Sequence, residues 1–125
     1  MSFPPDQPTP TIDPGSGDGA WLVRDGVVLS SLEVARGAKG RAKGLLGRDG
    51  IDGAILLDPC RSVHTLGMRF TIDVAFCTRD LEVVRLVTLP PGRIAMALRS
   101  RCAIETAGGA MAEWGIGLGD RFEIR

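Results

Sequence analysis

From Ala20 onwards the apolar residues fall into short runs divided by turn residues, a pattern that predicts strands far more than helices. Ala20 to Arg24 and Val27 to Ala35 are rich in Val and Leu and flank Asp25-Gly26, the dipeptide that favours a two-residue hairpin turn. These are the first two expected strands. Asp49-Gly50 and Asp52-Gly53 then supply turns before Ala54 to Leu57, a short apolar run of the kind that forms a buried strand. In the next strand, Phe70, Ile72, Val74 and Phe76 alternate with Thr71, Asp73, Ala75 and Cys77, which places Asp73 away from the larger apolar side chains. Thr78-Arg79-Asp80 turns the chain into Leu81 to Leu89, nearly continuous in Val and Leu, so cover on both faces is expected until Pro90-Pro91-Gly92 ends the run. Cys102 to Thr106 and, after a turn at Gly117 to Asp120, Arg121 to Ile124 complete the set.

Helical spacing occurs twice. Ala38, Ala42, Leu45 and Leu46 make a narrow apolar stripe within Gly37 to Arg48, and Gly109 to Trp114 reads as one or two turns stopped at Gly115. There is no βαβ rhythm, so the expected fold is α+β and mostly β. It is a small antiparallel or mixed sheet, or an open barrel, of about seven short strands with two short helices.

Residues 1 to 19 carry five prolines and almost no apolar side chain, which is too little buried surface to offset the entropy of ordering. They are expected to form a disordered tail, with residues 20 to 125 as a single globular domain; 125 residues leave no room for a second core. Charge changes the picture slightly. Fifteen basic and fifteen acidic residues cancel overall, but the tail holds Asp6, Asp13 and Asp18 and no basic residue, so the folded part is mildly cationic. No apolar run suits a membrane span, the start lacks the charge and apolar stretch of an export signal, and a soluble cytoplasmic protein is expected. Cys60, Cys77 and Cys102 are odd in number and contain no Cys-x-x-Cys pair, so reduced thiols are the simpler reading.

Arg41 and Arg48 lie seven residues apart, so on a helix they share a face about 10 Å from each other and are placed to bracket an anion. With Arg36, Lys39 and Lys43 they make a run without acids; the alternative is a solvated helix face with one arginine paired to Asp73 or Glu105. His64, the only histidine, is suited to act as acid, base or ligand, or else to anchor its loop by hydrogen bonds beside Thr65. Asp73 and Glu105 each sit opposite their strand's larger apolar residues, so the two are candidates to converge with His64 and Arg41 on one polar pocket, or to form a buried ion-pair network. His64, Asp73 and Glu105 are the catalytic candidates; Arg41, Arg48, His64, Thr65, Asp73 and Glu105 are the ligand-binding candidates.

Other chemistry is set aside. Metal ligation lacks a second ligand pair around Cys60 and His64, a cysteine nucleophile lacks a local motif, and no cofactor signature is present. Gly115-x-Gly-x-Gly119 has only six residues after it, so it reads as a turn rather than a dinucleotide cradle. The chain has no Tyr and no aromatic within its basic run, which argues against nucleic-acid stacking.

Arg41-Ala-Lys-Gly-Leu-Leu-Gly-Arg48, His64-Thr-Leu-Gly-Met-Arg-Phe-Thr-Ile-Asp-Val-Ala-Phe76, Glu105 with Gly108, and Gly115-Ile-Gly-Leu-Gly-Asp120 together resemble the bacterial family called domain of unknown function 192. His64 in place of the usual Trp-Met-Lys-Asn-Thr form resembles a histidine-bearing subgroup. The resemblance implies a compact β-rich fold and supplies no activity. The leading expectation is therefore a non-enzymatic accessory or ligand-binding domain for an anionic or peptide-like ligand, with no nucleic-acid or membrane partner and no specified oligomeric state. A small hydrolase using His64 with Asp73 and Glu105 is the second expectation, and requires His64 within reach of a carboxylate. The third is a structural or protein-interaction module, marked by an exposed apolar patch or sheet edge.

Overall fold

The computed structural model describes residues 20–36 and 49–125. The expected tail and the expected helix from Gly37 to Arg48 lie outside the described residues. Among the described residues, nine strands and one short helix follow in chain order: β1 Ala20–Arg24, β2 Val27–Arg36, β3 Ala54–Asp58, β4 Ser62–His64, β5 Ile72–Cys77, β6 Val83–Leu89, β7 Ile94–Met96, β8 Cys102–Ala107, α1 Ala110–Glu113 and β9 Glu123–Ile124. Seven of the strands form one mixed sheet in the order β6-β5-β8-β3-β2-β1-β9, and β4 and β7 form a second, two-stranded sheet. The mostly β reading holds.

The local chemistry explains the hairpins. Asp25 and Gly26 both take positive φ, which fits the right-handed twist of a hairpin and pairs Arg24 with Val27. β2 and β3 run parallel, with Leu32 beside Ala54; every other pair is antiparallel. Gly53 is required at the start of β3, because a Cβ there would lie 2.8 Å from the Ser31 carbonyl oxygen.

The sheet has a core on each face. Leu22, Leu32, Leu56, Ala75, Ile104 and Phe122 pack on one face, which we call the inner face, with Met111 and Ile116 from α1 and the turn after it. Ile55, Leu57, Ile72, Val74 and Phe76 pack on the other, under Val63 of β4 and Ala95 of β7. The sheet does not close into a barrel. Its two ends approach at the Glu82–Arg121 bridge, where the Val83 N–H donates to the Asp120 carbonyl at 2.8 Å, and beyond this point the rest of β6 is an edge. β6 does send apolar residues to both cores, as its sequence predicts, but its edge position leaves Arg85 and Thr88 exposed.

β4 and β7 were not expected. Their Val63–Ala95 pair is buried against the main sheet, while Ser62, His64, Ile94 and Met96 alternate to the outside. α1 is a single turn that ends in a Schellman motif: the Ile116 N–H donates to the Met111 carbonyl (2.9 Å), the Gly115 N–H donates to the Ala112 carbonyl (3.0 Å), and Gly115 takes positive φ.

Candidate functional site

Asp73 is the organising polar residue of the inner face. It is only 4% exposed. The Thr88 hydroxyl donates to its Oδ1 at 2.7 Å, and the main-chain N–H groups of Gly109 and Met111 donate to its Oδ2 at 2.9 and 3.2 Å. Gly109 is the residue before α1, with φ of 95°, and has no side chain with which to cap the helix. Asp73 supplies that cap from the neighbouring strand. Beside it opens a cleft of about 210 Å3, lined by Asp73, Leu86, Val87, Thr88, Met111, Ala112 and Ile116.

Glu105 does not join Asp73. Residues directly opposite in an antiparallel pair point to one face of the sheet. Asp73 is opposite Thr106, whereas Glu105 is opposite Val74 on one side and Ile55 on the other. The two carboxylates are thus buried on opposite faces, Glu105 on the side covered by β4 and β7. The expected convergence of His64, Asp73 and Glu105 on one pocket is corrected by this register. Arg41 and Arg48 lie outside the described residues.

His64 is exposed at the end of β4, opposite Ile94, and its Nδ1 accepts a hydrogen bond from the Leu66 N–H at 3.3 Å. No carboxylate of the described residues bonds to it. The loop anchor is Thr65 instead, which is fully buried. Its hydroxyl donates to the Pro90 carbonyl (2.6 Å) and accepts from the Arg93 N–H (2.8 Å); its own N–H donates to the Arg93 carbonyl, and its carbonyl accepts from Met68 and Gly92. One threonine therefore ties the β4 end to the turn that enters β7.

The face around His64 has a chemistry that no sequence motif signals. Residues 59–70 and 90–101 contain Arg61, Arg69, Arg93, Arg99 and Arg101 and no Asp or Glu. Arg69 pairs with Asp49 at 2.9 Å and Arg101 with Asp58 at 3.2 Å. Arg61 donates to the Ser100 carbonyl, Arg85 of β6 donates to the Met96 carbonyl, and Arg93 and Arg99 meet no carboxylate among the described residues. Among these arginines Leu66, Ile94, Met96 and Leu98 are 50%, 67%, 52% and 77% exposed. A charge count by segment would have found this patch in the sequence.

The remaining candidates are structural. The Gly115 to Asp120 segment is a turn, in which Arg24 donates to the Trp114 and Gly115 carbonyls and pairs with Asp120 at 3.4 Å. No group of three or more His, Cys, Asp or Glu among the described residues is placed to hold a metal, and no described helix is long and apolar enough to cross a membrane. No disulfide joins Cys60, Cys77 or Cys102, and all three are buried. Cys77 faces Cys102 across β5 and β8, and its thiol is held far above its ordinary value, first by the hydrogen bond with Cys102 and then by burial. An unfolded chain ionises this thiol from about pH 9.0 and the folded chain does not, so the Cys77 contribution to stability is intact below that pH and declines above it. Iodoacetamide at neutral pH is expected to leave Cys77 and Cys102 unmodified in the native protein and to label both in denaturant, as read by mass spectrometry; rapid native labelling would contradict the packing.

The comparisons with known proteins agree with this fold. The family model of DUF192, described as Uncharacterized ACR, matches residues 21–124. The chain is similar to a protein of unknown function from Novosphingobium aromaticivorans DSM 12444, with a TM-score of 0.70 and 21% identity over 91% of each chain. It is also similar to a putative transcription regulator from Sinorhizobium meliloti 1021, with a TM-score of 0.73 and 19% identity over 86% of this chain and 92% of that one. At such identities the likeness concerns the fold alone. No curated protein matches the sequence.

Proposed function

The chain belongs to the DUF192 family, and we propose that it is a soluble, cytoplasmic, non-enzymatic binding module that holds an acidic, peptide-like segment of a partner protein on the outside of β4 and β7. The observation that carries this reading is the patch itself: exposed Leu66, Ile94, Met96 and Leu98 set among arginines, with no acid in either contributing segment. Exposed aliphatic side chains favour a partner that covers them, and Arg93 and Arg99, which meet no carboxylate among the described residues, favour an anionic one. Three buried thiols fit a reducing compartment. This merges the ligand-binding and interaction readings, and moves the ligand from the expected polar pocket to a surface. A hydrolytic role has less support, because His64 and Asp73 belong to opposite sides of the main sheet.

The test is a displayed library of acidic peptides with interspersed Leu and Phe, selected against the wild type and against the Arg93→Glu/Arg99→Glu double variant. Both positions are exposed and bear no load in the core. Peptides selected on the wild type are expected to bind the double variant at least about tenfold more weakly, and more weakly in high salt. Equal enrichment on both proteins, or none on the wild type, overturns the reading.

A further inference from the structure

We propose that the cleft beside Asp73 is a second binding site, selective for the end of an unbranched aliphatic primary amine, such as a lysine side chain or an alkylammonium. It lies on the inner face, away from the β4–β7 surface, and does not depend on the role assigned to that surface.

The walls and the floor of the cleft differ in chemistry. Leu86, Val87, Met111, Ala112 and Ile116 are apolar, and the polar groups that line it with them are Asp73 and Thr88. A volume of about 210 Å3 corresponds to roughly seven groups the size of a liquid water, enough for a short chain and its terminal nitrogen. Asp73 accepts three hydrogen bonds, all from neutral donors, and no Lys or Arg of the described residues pairs with it. A carboxylate has about four acceptor positions. Oδ2 is occupied by two main-chain N–H groups and Oδ1 by Thr88 alone, so the acceptor position that remains is on Oδ1. Asp73 lines the cleft together with Thr88, which bonds Oδ1, and Met111, which bonds Oδ2, so the cleft reaches the carboxylate itself.

A buried carboxylate without a counter-charge, at the end of an apolar slot, is matched by a cation carried on an apolar stem. One open acceptor position suits the compact ammonium better than the two-pronged guanidinium. An anion is repelled, and a neutral alcohol fills the slot but leaves the charge uncompensated. The position of the cleft also makes physical sense. It is the gap between the unpaired part of β6 and α1, where the sheet stops short of closing, so an extended chain can approach along the β6 edge while one side chain enters.

The experiment titrates the full-length, isotope-labelled protein with pentylamine, pentanol and pentanoate and follows the amide resonances of Thr88, Met111, Ala112 and Ile116. Pentylamine is expected to shift these resonances saturably, pentanol to bind at least about tenfold more weakly, and pentanoate to leave them unmoved. Ala112→Phe fills the slot from an exposed helix position without touching Asp73, so it should keep the native spectrum and lose the pentylamine shifts. It is preferred to Asp73→Asn, which disturbs the helix cap as well as the charge. Equal binding of the amine and the alcohol, shifts that survive Ala112→Phe in a folded protein, or no saturable shift with pentylamine would each overturn the proposal. None of these outcomes touches the acidic-peptide reading, whose test concerns Arg93 and Arg99.

Discussion

Replacing Asp73 by Ala is expected to lower the free energy of unfolding by about 3–5 kcal/mol, a large part of the roughly 5–15 kcal/mol that holds a domain of this size together. The substitution strands three donors at once: the Thr88 hydroxyl and the N–H groups of Gly109 and Met111. Each buried group left without an acceptor costs about 1–3 kcal/mol, reduced where water can enter. Thr88 is exposed enough to find water, whereas the Met111 N–H is buried at the head of α1. Because Met111 and Ile116 also pack into the inner core, release of the cap loosens an apolar contact as well as a polar one. Asp73→Asn keeps an acceptor oxygen but turns an amide towards at least one donor, so an intermediate loss is expected. Urea unfolding of the three proteins checks the order, and an Asp73→Ala protein as stable as the wild type would remove Asp73 from this role.

The second large effect is expected at Thr65. Thr65→Val preserves the shape of a fully buried side chain and removes only the hydroxyl, leaving the Pro90 carbonyl and the Arg93 N–H without their partner. A loss of about 2–3 kcal/mol is expected, smaller than at Asp73 because the main-chain bonds of Thr65 remain. Its distribution is the more telling readout. Thr65 joins the end of β4 to the entry of β7, so amide exchange should quicken first in those two strands and least in β5 and β8, which are buried interior strands of the main sheet. If the proposed peptide surface is real, Thr65→Val should weaken acidic-peptide binding although every arginine is still present. Uniform acceleration throughout the sheet would instead place Thr65 in the global core.

The sequence carries local geometry better than it carries assembly. Asp25-Gly26 announces its hairpin because few other residues take positive φ in succession, and Gly115 announces the end of α1 for the same reason. Alternation likewise separates Asp73 from the larger side chains of β5, and Glu105 from those of β8, and both assignments hold within each strand. What alternation does not carry is which side of the sheet each set faces. In a sheet with one wet face, polarity would settle that question; here both faces are covered, and the small-residue side of β5 lies on the face opposite to the small-residue side of β8. The two carboxylates were legible one at a time and their separation was not. β4 and β7 were missed for a related reason. Each strand is three residues long and buries a single side chain, Val63 or Ala95, so no period is long enough to see.

That same economy has an evolutionary side. A strand that commits one side chain to the interior leaves its neighbours under little constraint from stability, and in β4 and β7 those neighbours are Ser62, His64, Ile94 and Met96. Mutations there can accumulate without unfolding the scaffold, so lineages that inherit the same seven-stranded frame can drift towards different recognition surfaces while Val63, Ala95 and Thr65 keep the platform in place.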